Sequence, residues 1–232
     1  DRERYKVVLT PMDEAVQAAV ERGNDPNLLA EIYADIGDNP GGGGCGNTTA
    51  LLSALIEVGA KGVLVGAIFD PELAAMALQS GVGAEIDAVF NTIPRTIYST
   101  RYECKATVTA VSTEAFVGRL GQYTGTRIEA APTAALQIGG LTVVVISNRY
   151  QTSDPMFFEH LGLDISEART VIVKSRGHFR AGFEPWFTPD RVREVDTPGF
   201  TSPVLTRFDW KGLPRPVYPL DEEAEWSPPK AR

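Results

Sequence analysis

Apolar residues first recur at helical spacing. Met12, Ala15, Val16, Ala19 and Val20 share one face, and Gly23 ends the run. Thr10-Pro11 predicts the start of that helix, with the hydroxyl as cap and proline at the first helical position. "LLAEIYADI" (28–36) reads as a strand, and a glycine-rich loop follows at once. Leu51, Leu52, Leu55 and Ile56 then mark a helix that starts near Thr48. The unbroken apolar run "GVLVGAIF" (62–69) predicts a buried strand. Asp70-Pro71 caps a further helix carrying Leu73, Ala74, Ala77 and Leu78 on its inner face. This alternation of helices and strands implies parallel strands with crossover helices.

The middle of the chain changes character. "RTIYSTRYECKATVTAV" (95–111) and "RIEAAPTAALQIGGLTVVVIS" (127–147) are β-branched and alternating, which predicts antiparallel ribbons with a hairpin turn at Gly139-Gly140. "LTVVVIS" (141–147) and "TVIVKS" (170–175) read as buried strands, and Asp154-Pro155 caps a helix through Phe157, Phe158 and Leu161. Beyond Pro198 prolines disfavour helix and central strand alike, so an extended segment over the domain is expected, frayed after Asp221. The fold class expected is α/β: a mixed sheet, partly parallel with flanking helices, with a central antiparallel β insertion. One domain over 1–232 is expected, in four parts: 10–94, 95–147, 148–197 and an extended tail at 198–232.

Composition narrows the function. A chain of 232 residues, 43% hydrophobic, can bury a substantial core. A net charge of -8 without a basic stripe argues against nucleic-acid binding. No apolar run approaches the ~20 residues that span a bilayer, and no leader pattern opens the chain, so a cytoplasmic protein is expected. Cys45 and Cys104 read as two reduced thiols. With only His160 and His178, eighteen residues apart, no metal-ligand motif is present, and no metal held by this chain alone is expected.

Three strand-end segments could carry chemistry. "DNPGGGGCGNTT" (38–49) comes within one residue of a phosphate-binding loop, with asparagine where lysine would stand. A nucleotide site, another anion site and a tight turn all remain open for it. An anion site would use backbone amides at a helix N-terminus, with Gly41, Gly42, Gly43, Gly44, Gly46, Asn47 and Thr48 as its elements; Asp38 and Asn39 either make turn bonds or point into it. "VKSRGHFR" (173–180) sets Lys174, Ser175 and His178 where α/β sheets bind ligands. Lys174 and His178 would suit an anion or an oxyanion, or else form a solvated basic turn. "SNRYQ" (147–151) adds Asn148, Arg149 and Gln151. Cys45 lies near a helix N-terminus, where a thiolate is favoured. His160, in "MFFEHLG", reads as a half-buried structural residue.

Taken in order, "ADIGDNPGGGGCGNTTALLSALIE", "FDPELAAMALQSGVGAEI", "VVVISNRYQTSDPMFFEHLGLD", "VIVKSRGHFRAGFEPWF" and "RPVYPLD" resemble the C-terminal domain of the microcystinase C family, from about Asp13 to Asp221. These are zinc metallopeptidases that degrade linearised microcystin. The resemblance implies that zinc serves the full-length enzyme, with its ligands in an N-terminal domain absent from this chain. It also implies that this chain alone is inactive; the polar start "DRERYKVVLTP" is consistent with a cut at a domain connection, with a natural separate subunit as the alternative. Implied partners are that N-terminal zinc-binding domain and a peptide or other amide substrate, with a homo-dimer left open. The family pattern carries over to Asp38, Asn39, Gly41 to Gly44, Gly46 and Thr48, and to Lys174, Ser175, His178 and Phe179. Asn47 departs from it, standing where the family usually carries aspartate. The implied role is one wall of a hydrolase cleft in which the glycine-loop amides, Lys174 and His178 orient a substrate carboxylate or oxyanion. The alternatives are a structural or dimerisation module and a small-anion binder.

Overall fold

The Val- and Ile-rich runs become strands of one sheet in the computed structural model, which describes residues 7–225. The polar start at 1–6 and the last part of the tail, 226–232, lie outside the described residues. In chain order the strands are β1 (Thr10–Pro11), β2 (Glu31–Asp35), β3 (Lys61–Phe69), β4 (Glu85–Phe90), β5 (Tyr102–Ser112), β6 (Phe116–Val117), β7 (Arg127–Ile128), β8 (Thr133–Ile138), β9 (Gly140–Ile146), β10 (Thr170–Val173) and β11 (Val192–Asp196). The helices are α1 (Met12–Asn24), α2 (Ala50–Glu57), α3 (Pro71–Ser80), α4 (Met156–Glu159) and α5 (Phe179–Phe183).

Nine strands pair in the order β1-β11-β2-β10-β3-β9-β8-β5-β4, while β6 and β7 pair separately. From β1 to β9 every pairing is parallel. From β9 to β4 every pairing is antiparallel. The fold is the expected mixed α/β arrangement, with one refinement. The antiparallel part is no separate ribbon, because β9 belongs to both halves and the sheet runs on through it. Thr10 does not cap α1: it pairs with Val195 as a strand residue, and α1 opens at Met12 with Pro11 as its cap.

Helices cover both faces, so the central strands are buried on both sides. On one face Ala15, Val16, Leu51, Leu55 and Leu73 pack on Tyr33, Val65 and Val143. On the other, Phe157, Phe158, Phe179 and Phe183 pack on Ala34, Leu64 and Val144. Gly66 makes the second face possible. A Cβ there would lie 2.3 Å from the Phe158 ring, so the ring uses the space that any other residue would fill.

Asp70 caps α3 as its spacing predicts: one carboxyl oxygen accepts from Leu73 N–H at 3.0 Å, the other from Asn91 N–H at 2.8 Å. Asp70→Ala orphans both buried amides and is expected to lower stability by about 1–2 kcal/mol, read from the urea midpoint.

All the parallel strands end on one edge of the sheet, where the loops after β2, β9 and β10 converge. The tail crosses that edge. Thr201 donates from its hydroxyl to the Ile36 carbonyl at 2.7 Å and from its amide to the Gly37 carbonyl at 3.0 Å. Among the described residues no helix is long and apolar enough to cross a membrane.

Candidate functional site

The register of β2 against β10 sets Val173 beside Ala34, so the next step along both strands brings Lys174 beside Asp35. Lys174 is only 2% exposed. Its Nζ donates to Asp35 Oδ2 at 2.7 Å, to the Thr48 carbonyl at 2.7 Å and to Thr48 Oγ1 at 2.8 Å, and lies 3.1 Å from Asp38 Oδ2. Burial alone would depress the ammonium pKa, but the Asp35 and Asp38 carboxylates more than reverse that and raise it. On the far side of Asp35, Thr197 donates its hydroxyl to Oδ1.

The glycine bend uses its amides internally. Asp38 accepts from Gly46 N–H and Thr48 N–H, each at 2.7 Å. Gly41 N–H bonds the Asn39 side chain, Gly42 and Gly44 N–H bond the Asn39 carbonyl, and Gly43 N–H bonds that of Pro40. Burial pushes the Asp38 carboxyl up, yet Lys174 and the two amides hold it below the usual carboxylate range. The bend therefore carries its own anion.

This corrects several expectations about the loop. Gly41 to Gly44, Gly46 and Thr48 do not offer bare amides to an external phosphate or carboxylate, because protein acceptors already hold them. Lys174 commits its protons to Asp35 and Thr48. Asn47 does not cap α2: its Oδ1 accepts from Ser99 Oγ at 3.1 Å, and its buried Nδ2 has no protein partner. Cys45 is half-buried and unbridged, and burial followed by the Asp38 carboxylate pushes its thiol pKa up, so the thiolate is not favoured.

The surface beside the bend is different. Gly41, Gly42 and Gly43 are exposed, and a Cβ on Gly41 would lie 2.2 Å from Gln151 Oε1. Only glycine lets the loop sit flush on that amide. Gln151, itself buried, donates from Nε2 to the buried Ser175 Oγ at 2.7 Å. Its Oε1 lies 3.2 Å from His178 Nδ1 and 3.1 Å from Gln122 Nε2. His178 is exposed. Arg149, also exposed, reaches the Gly44 carbonyl at 3.5 Å. The glycine bend, Ser175 and His178 thus meet through Gln151, while Lys174 stands beneath them.

Among the described residues no three His, Cys, Asp or Glu side chains gather closely enough to hold a metal ion. Between Asp35 and Asp38, the place a cation would take already holds the Lys174 ammonium. The residues present do not fit a resident metal. His160 is structural, stacked on Phe116 at 4.4 Å and bonded to Thr133 Oγ1 and the Met156 carbonyl.

Asp35, Thr197, Ser99 and Gln122 are the parts of this site that sequence reasoning missed. Asp35 alone left a signal, as an acid at the end of an apolar strand directly before the glycine bend.

A family model described as MlrC C-terminus matches residues 33–212. Microcystinase C from Sphingomonas sp is 24% identical over 185 residues, which cover 78% of this chain and 36% of that protein. The crystal structure of a "putative metallopeptidase" from Mesorhizobium sp. BNC1 superposes with a TM-score of 0.78 and 24% identity, covering 97% of this chain and 44% of that one. The chain spans less than half the length of either relative, and the structural likeness shows a shared fold.

Proposed function

The chain belongs to the MlrC C-terminus family, and we propose that it supplies one wall of the active-site cleft in a zinc-dependent metallopeptidase or amide hydrolase. The zinc would be held by an N-terminal domain of the full-length protein, so this chain alone would be inactive. The cytoplasm is the compartment proposed, which suits two unbridged cysteines.

One observation carries the reading: an exposed histidine and an exposed glycine turn meet the same buried amide, Gln151, at the carboxyl edge of a parallel sheet. Ligands of open α/β sheets bind at that edge. His178 is the residue placed to touch substrate there, as a hydrogen-bonding or proton-carrying group. The side-chain-free surface of Gly41 to Gly43 would let a peptide backbone lie close. Arg149 would supply charge for a substrate carboxylate. Asp38, Lys174, Thr48 and Asp35 take a different part, holding the bend in shape from below. The small-anion reading has little support, since Asp38, Asn39 and Pro40 occupy the amides it would need.

His178→Ala in the full-length, metal-loaded protein is expected to cut kcat/KM on a linear peptide about 100-fold, with an unchanged urea midpoint. Wild-type turnover in that variant would end the proposal.

A further inference from the structure

The geometry points to Gln151 as the positioning residue that decides which ring nitrogen of His178 carries the proton. By accepting from Nδ1–H it leaves Nε2 unprotonated, as an acceptor on an exposed ring.

The amide of Gln151 is oriented from both ends. Its Nε2 donates to Ser175 Oγ at 2.7 Å. Its Oε1 accepts from Gln122 Nε2 at 3.1 Å, and Gln122 is itself tied to Ser153 Oγ at 2.7 Å. Exchanging the two ends of Gln151 would set its NH2 against the NH2 of Gln122 at 3.1 Å unless Gln122 turned as well. At 4% exposure, Gln151 has almost no access to water that could replace these partners. With Gln122 donating, the atom facing His178 Nδ1 at 3.2 Å is an oxygen, and the ring nitrogen opposite it is the donor. A free imidazole favours the opposite tautomer, protonated at Nε2, so the fold reverses the ring's own preference. The hydrogen bond at one nitrogen sets the chemistry of the other. An Nε2 lone pair can take a proton or bind a cation, whereas an Nε2–H can only donate. The inference rests on the hydrolase reading for its use, though not for its truth.

The test reads the tautomer directly. The chain has two histidines, so long-range proton–nitrogen NMR of the labelled 232-residue protein, in mildly alkaline buffer without metal or substrate, shows two imidazoles. His178→Asn assigns them by removing one. His160 is the internal control, since its Nδ1 must donate to the Met156 carbonyl. In wild type, His178 is expected to be protonated mainly at Nδ1. Gln151→Met should turn the majority to Nε2–H, and Gln151→Glu, which keeps an acceptor, should retain Nδ1–H. A wild-type His178 carrying its proton on Nε2, or Gln151→Met leaving Nδ1–H in place, overturns the inference. Should Gln151→Met fail to fold, seen by loss of the His160 signal, wild type and Gln151→Glu still decide it. Failure here leaves the hydrolase reading standing. An active His178→Ala enzyme beside a confirmed tautomer removes that reading alone.

Discussion

Replacing Lys174 with methionine is expected to cost the fold about 3–5 kcal/mol, the range for breaking a buried ion pair from one side. Methionine fills much the same volume, so packing changes little, and the loss is electrostatic. Asp35 and Asp38 would be left within reach of one ammonium's former position, with no cation between them and almost no water. A domain is typically stable by about 5–15 kcal/mol, so this is a large fraction of the total. Urea unfolding of wild type and variant measures it. Combining Lys174→Met with Asp35→Asn should cost less than the sum of the single changes, because the second removes a charge that the first has orphaned. A variant as stable as wild type would show that Lys174 does not neutralise the pair. Activity separates the two roles considered for this residue. A substrate contact predicts a loss per folded molecule with stability intact, whereas an internal counter-ion predicts a loss of stability first.

The parallel half of the sheet was legible because its strands are buried on both faces, and burial on both faces erases polar positions. The runs 62–69 and 141–147 match β3 and β9 closely for that reason. β11 went unread: Val192–Asp196 carries Arg193, Glu194 and Asp196, and their charges are matched across space rather than along the chain. Arg193 bonds Glu31, and Arg180 bonds Glu194. β4 fails for a related reason, since it is an edge strand exposed on alternate residues.

The site shows the same division. That the glycine bend and the Lys174–His178 segment would lie together follows from both being strand ends of a parallel sheet. What each group binds there could not be read locally. The amides of the bend resemble an open anion site only until the Asp38 carboxylate, from the loop itself, is seen folded back into them. Lys174 resembles a ligand-binding cation only until pairing of β10 with β2 sets Asp35 at its tip. Gln151 stood out merely as a polar strand-end residue, and its importance comes from Gly41, Ser175 and His178 arriving on three sides of it.

Acid should expose the Asp38 contribution. Its carboxyl is held below the ordinary carboxylate range in the fold, so the stabilisation it brings is complete above an unfolded pKa of about 3.9. It is lost as pH falls through the lower, folded value. Lys174 works in the opposite sense. Its pKa is raised, so its contribution is complete below the ordinary lysine value of about 10.5 and is lost as pH rises from there through the folded value. Between roughly pH 4 and pH 10 this network should therefore give a flat plateau of stability. Asp38→Asn lowers that plateau, because a single amide oxygen cannot replace two carboxylate oxygens that accept from Gly46 and Thr48. The loss should be on the order of 3 kcal/mol, and the variant's acid limb should be shallower than that of wild type. Carboxylates outside the bend such as Asp221, lowered to about 2 by its bond to Arg215, titrate alike in both proteins and cancel in the difference. Urea midpoints collected for both proteins from neutral to acidic pH give that difference. Two acid limbs that run parallel would mean that Asp38 gains nothing from its amides and its lysine, and that the bend is held by something else.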